Sequence, residues 1–151
     1  MDYKNTLSSA QNYAKNGRLE DWIHAYLESD GNNKALSDGL KLYDRFFLGP
    51  LKMPLSLFNR CCGPEENMKW RVNEEGFEDK VTQLENVIKI ETDIPPLIVQ
   101  FVNDGFELND GNHRYEAYSR LGVKEIDAII WITEKHDYEL FISKYSDYIN
   151  L

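Results

Sequence analysis

The chain has 151 residues, of which 42% are hydrophobic and 13% aromatic, and its formal net charge is −9. That length and apolar content suit one domain with a proper core and exclude a disordered chain. The acidic balance argues against general DNA or RNA binding, whose sequence-independent affinity comes from Lys and Arg displacing counterions, and it favours solubility instead.

The N-terminus MDYKNTLSSA lacks the basic, apolar and small-residue sections of a signal peptide, and no apolar run reaches the length of a membrane span. A cytoplasmic protein without membrane association is expected. Three helical stripes follow: Tyr3, Leu7, Ala10 and Ala14, ending at Asn16-Gly17; then Leu19, Trp22, Ile23, Tyr26 and Leu27, closed by Asp30-Gly31; then Leu36, Leu40, Tyr43 and Phe47, closed by Gly49-Pro50. Residues 1–50 thus read as a helical N-terminal extension, and residues 51–151 as the main domain. His24 lies beside one stripe and reads as an ordinary structural histidine.

LKMPLSLF reads as a short strand with Pro54 near its start or edge, and RCCGPEENMKWRV is irregular. Cys61 and Cys62 are adjacent and the only cysteines, so a disulfide framework and a zinc site are both disfavoured and reduced thiols are expected. Asn73 caps a predicted helix whose first turn carries Glu74 and Glu75 and whose apolar face is Phe77, Val81, Leu84 and Ile88. IPPLIVQFVNDGFEL predicts two strands about an Asn103-Asp104-Gly105 turn. EIDAIIWI predicts a buried strand, and Tyr138, Phe141, Ile142, Tyr145 and Ile149 mark one face of a last helix. The pattern is that of an α+β protein.

Between the paired strands and EIDAIIWI stands ELNDGNHRYEAYSRLG, Glu107 to Gly122. Asp110 or Asn112 can cap the helix that begins there, Ala117, Tyr118 and Leu121 give it a buried face, and Gly122 fits just past its end. Gly111, Asn112, His113 and Arg114 then lie at the positive end of the helix dipole, where unpaired N–H groups attract anions and glycine admits a phosphate to the main chain. Arg114 can add a bidentate fork, His113 a donor or an acid–base group, and Asp110 a ligand for Mg²⁺ or a partner for a nucleophile. An Asp-Gly-Asn turn is also a common helix start, and Arg114 is equally placed to pair with Glu116 or Glu107.

Several landmarks occur in a characteristic order: PLSLF, then MKWRVNEEGF, then PPLIVQF, then FELNDGNHRYEAYSRLG and a hydrophobic strand. On these the segment from about Met53 to Trp131 resembles the ParB/sulfiredoxin superfamily, the ParB-like nuclease domain. The resemblance implies a small mixed sheet with packed helices, to which residues 1–50 add a helical extension. It also implies a box that holds the phosphates of ATP or CTP, with Mg²⁺, at Gly111, Asn112, His113 and Arg114, preceded by Asp110. Arg71 matches the arginine before the family's helix. Sulfiredoxins carry their reactive cysteine where this chain has Asn112, so reduction of a sulfinic acid is not expected. Partition proteins continue into a helix-turn-helix after the box, where this sequence has only Val123 to Leu151.

Another branch of the superfamily comprises nucleotide-dependent kinases of free serine. Phosphoryl transfer requires a carboxylate to orient the acceptor, for which Glu65, Glu66 and Asp110 are candidates beside His113. The first expectation is therefore a nucleoside-triphosphate-binding protein, with NTPase or small-molecule kinase activity as its extension. The second is a non-catalytic interaction module whose N-terminal helices offer Trp22, Tyr26, Phe46 and Phe47 to a protein partner. The third is a ParB-related DNA-associated protein, which the net charge opposes.

Overall fold

A computed structural model describes residues 1–149. Helices α1 (Leu7–Lys15), α2 (Leu19–Leu27) and α3 (Lys34–Leu40) lead into strand β1 (Phe46–Pro54). After a 3-10 turn over Leu55–Leu57 come β2 (Phe58–Arg60), β3 (Cys62–Gly63) and β4 (Trp70–Arg71). The remaining elements are α4 (Glu74–Ile90), β5 (Leu97–Val102), β6 (Gly105–Asp110), α5 (Asn112–Arg120), β7 (Glu125–Ile132) and α6 (Lys135–Ile149). The result is an α+β fold around one mixed sheet of five strands, in the order β1-β7-β5-β6-β2; β3 and β4 form a small separate pair. Among the described residues no helix is long and apolar enough to cross a membrane.

Strand alternation makes this sheet two-sided. Leu97, Val99 and Phe101 of β5 and Ala128, Ile130 and Ile132 of β7 join a core with Phe141 of α6. The intervening Ile98, Ile129 and Trp131 join a second core with Ala10, Trp22, Ile23, Leu27 and Leu40 from the N-terminal helices. Trp22, Phe101 and Phe141 are fully buried, each contributing about 1.5–3 kcal/mol relative to exposure. The helical extension is thus one of two layers on the sheet. The boundary expected at residue 50 falls inside β1.

Trp22 and Tyr26, expected as a partner surface, are buried against the sheet, with their rings stacked at 5.0 Å. Phe47 packs on the same core, and the half-exposed Phe46 stacks on Tyr138 at 4.2 Å. The third helix also ends earlier than its stripe suggests. It stops at Leu40, and Phe46 and Phe47 pair as strand residues with Ile132 and Trp131. The i, i+4 spacing of Leu36, Leu40, Tyr43 and Phe47 is coincidental, since pairing with the buried β7 outweighs local helical preference. Pro54 does not open a strand but ends β1, which is an edge of the sheet, the other position expected for it.

Other elements follow from their residues. Asn73 Oδ1 accepts the Gly76 N–H at 2.9 Å to start α4. Phe77 and Val81 of α4 meet Ala117 of α5, and Arg120 bridges the two helices by donating to both oxygens of Glu78 at 2.6 and 2.8 Å. Asn103 and Asp104, at φ 50° and 59°, form the left-handed turn that joins β5 to β6.

Candidate functional site

Helix α5 does not begin on a side-chain cap. Its N-cap is Gly111, at φ +97°, and neither Asp110 nor Asn112 caps it as expected. A Cβ at Gly111 would come within 2.5 Å of Leu97 Cδ2 and 3.1 Å of Arg114 Nη2, so both backbone angle and space demand glycine. The first amides of a helix have no acceptor within it, and here they start at a cleft.

The cleft has a volume of about 670 Å³. Its floor is the sheet face that carries Gln100, Glu107, Asn109 and Trp131; its walls are the α2–α3 turn from Gly31 to Leu36 and the segment bearing Cys61, Cys62, Lys69 and Trp70. Gly111 and His113 lie at its end, and past them a second hollow of about 450 Å³ runs along α4 to Asp93–Pro95. Lys80 of α4 lines both hollows.

The structure gives the predicted site residues distinct tasks. Arg114 is buried. Its Nη1 donates to Pro95 O, and its Nη2 donates to Tyr26 Oη at 3.0 Å and Asp110 Oδ2 at 3.2 Å. Tyr26 Oη in turn donates to Asp110 Oδ2 at 2.9 Å. Burial raises the Tyr26 phenol above its ordinary value, Arg114 opposing and Asp110 reinforcing the shift, so the hydroxyl remains a donor. The guanidinium expected to grip a phosphate is instead engaged by protein groups. Asp110, expected as a catalytic group and Mg²⁺ ligand, is neutralised by the cation beside it. No cluster of three or more His, Cys, Asp or Glu able to hold a metal occurs among the described residues.

Asn112 is also buried. Its Oδ1 accepts from the N–H of Cys61 at 2.9 Å and of Cys62 at 3.2 Å, while Nδ2 donates to Leu108 O at 3.1 Å. Its side chain anchors the cleft wall, leaving only its main chain for a ligand. The Cys61 thiol donates to Leu108 O at 2.9 Å, and burial raises both cysteine thiols above their ordinary value. Neither thiol is primed as a thiolate.

His113 lines both hollows, with its ring 4.8 Å from that of Phe77. Burial, then the charges of Lys80 and Arg60, push its pKa down to about 4, so it is neutral at physiological pH. The local field at the start of α5 is positive although the whole chain is acidic. Glu65 and Glu66 are exposed and line neither hollow; Glu65 pairs with Arg60. Arg71 likewise lies outside, with Nε donating to Pro64 O at 3.1 Å. The structure therefore unites Asp110, Gly111, Asn112, His113 and Arg114 and leaves Arg71, Glu65 and Glu66 apart. It adds Lys80, Lys69, Trp70 and Tyr26. Trp70 alone left a trace in the sequence: a large aromatic without an apolar period in a polar segment.

Residues 67–142, half of the chain, match the family model of the ParB N-terminal domain, and the protein belongs to that family. Its fold is that of the ParB/sulfiredoxin superfamily. Sulfiredoxin from Arabidopsis thaliana is similar at 25% identity and a TM-score of 0.44, with 64% of this chain and 97% of that one covered. ParB from Caulobacter crescentus, in a complex with CTP-γ-S, is 19% identical with a TM-score of 0.39 over 68% of this chain and 53% of its own. A free serine kinase in complex with AMP is 19% identical with a TM-score of 0.38 over 58% and 31%. The chain thus spans nearly all of the sulfiredoxin, about half of the truncated ParB and less than a third of the kinase. No curated protein sequence matches the chain.

Proposed function

We propose that this protein binds a nucleoside triphosphate, ATP or CTP, with its phosphates at the start of α5. The observation that carries this reading is the turn at Gly111: its left-handed backbone starts the helix on a cleft whose two parts both reach Lys80. Main-chain amides of Asn112 and His113 and the ammonium of Lys80 are the anion-binding groups in this reading. The charges of Lys80 and Arg60, which add to burial in suppressing protonation of His113, also favour an anion. Arg114 and Asp110 act behind them, holding the turn.

The reading is one of binding, with NTPase or small-molecule kinase activity as its extension. Of the expected catalytic residues, Asp110 is paired and Glu65 and Glu66 lie outside the cleft, while His113 lines both hollows as a neutral imidazole, the form that accepts a proton. Isothermal titration with ATP and with CTP, each with and without Mg²⁺, tests the reading. Binding of at least one nucleotide is expected, weakened about tenfold or more in Lys80→Ala through loss of a charge-assisted contact. A folded protein that takes up neither nucleotide refutes the function.

A further inference from the structure

Trp70 stands out as a large aromatic left in water. It is 62% exposed, whereas Trp22 and Trp131 are 0% and 6% exposed. It lies on the wall of the larger hollow, whose floor sets Trp131 beside Gln100, Glu107 and Asn109. An exposed aromatic that lines a cleft offers its face to a flat ligand group.

Its position is fixed relative to the start of α5. Trp70 N–H donates to Cys61 O at 2.8 Å, and Cys61 N–H donates to Asn112 Oδ1 at 2.9 Å. Next to it, Lys69 Nζ pairs with Glu107 Oε1 at 3.3 Å, tying the same segment to the floor. The main chain that carries the indole is thus tethered through Cys61 to the first residue of the phosphate-facing helix. On the floor, the Gln100 amide has no side-chain hydrogen-bond partner among the described residues and can meet the edge of a heterocycle.

We infer that Trp70 is the platform on which the nucleobase stacks, with Gln100 facing the base edge. The inference rests on the nucleotide reading above and locates the half of the ligand that the phosphates do not define. Stacking on an aromatic tolerates any base, because every base has a π-face, so Trp70 serves ATP and CTP alike.

Titration of wild type, Trp70→Phe and Trp70→Ala with ATP, CTP and inorganic tripolyphosphate provides the test. Trp70→Ala is expected to lower nucleotide affinity about tenfold or more and to leave tripolyphosphate affinity within about twofold, while Trp70→Phe retains most nucleotide affinity. Quenching of tryptophan fluorescence by nucleotide is expected in wild type and should be reduced in Trp70→Phe, where Trp131 remains on the cleft floor. Unchanged nucleotide affinity in Trp70→Ala overturns the stacking role while the phosphate site stands, as does an equal loss for nucleotide and tripolyphosphate. Wild type that binds tripolyphosphate but not nucleotide leaves an anion site and overturns both the nucleotide function and the stacking role. If neither ligand binds wild type, both readings fall together.

Discussion

Tyr26 and Asp110 share a buried hydrogen bond of 2.9 Å across 84 residues of chain. The first belongs to an N-terminal helix and the second to the strand that delivers the candidate site. Tyr26→Phe keeps the ring in place and deletes the hydroxyl that serves both Asp110 and Arg114. The expected cost is about 1–3 kcal/mol, read as a lower midpoint in urea with an unchanged slope.

Arg114→Ala is expected to cost more, about 3–5 kcal/mol, because it leaves the Asp110 carboxylate buried without its counter-charge. Lys80→Ala removes an exposed ammonium and is expected to leave stability within about 0.5 kcal/mol of wild type. Paired urea titrations separate a residue that holds the site from one that meets the ligand. Equal stability of the two variants contradicts that division.

Asn112→Ala strands the amides of Cys61 and Cys62, both held by one side-chain oxygen. A loss of about 2 kcal/mol is expected. Because the same oxygen holds the wall segment that precedes Trp70, faster amide hydrogen exchange at Cys61 and Cys62 should accompany that loss.

His113 gives stability a dependence on acid. The folded protein keeps the imidazole neutral down to about pH 4, against an ordinary value of 6.5. Between those values the unfolded chain binds the additional proton, so stability is greatest above pH 6.5 and falls as the pH drops toward 4. His113→Gln should flatten the pH dependence of the urea midpoint in that window. A profile identical to wild type assigns the acid sensitivity to other groups.

Much of this architecture was legible in the sequence, because it rests on local chemistry. Asn73 with Glu74 and Glu75 announces α4, Asn103-Asp104 announces the hairpin, and Gly122 at φ +77° closes α5. The ordered landmarks around Gly111 also indicated the family. The allegiance of particular side chains was hidden. Arg114 has the charge and position of a phosphate ligand in one dimension, but its partners Tyr26 and Pro95 lie 88 and 19 residues away. Asn112 is likewise committed to Cys61, 51 residues distant. Phe47 misled for a related reason, since a helical spacing contains no record of the strand with which it pairs. Lys80 gave no warning, being one charge among many on an amphipathic helix.

The rims of the sheet have a consequence for assembly. One is β2, only three residues long; the other is β1, whose register with β7 slips between Leu48 and Leu51 and which contains Pro50 and Pro54. A proline has no amide hydrogen to offer a docking strand, and a break in register bends the ribbon away from a flat template. Neither margin invites another copy to extend the ladder, so the protein guards against fibrillar growth through its termini of pairing rather than through surface charge alone.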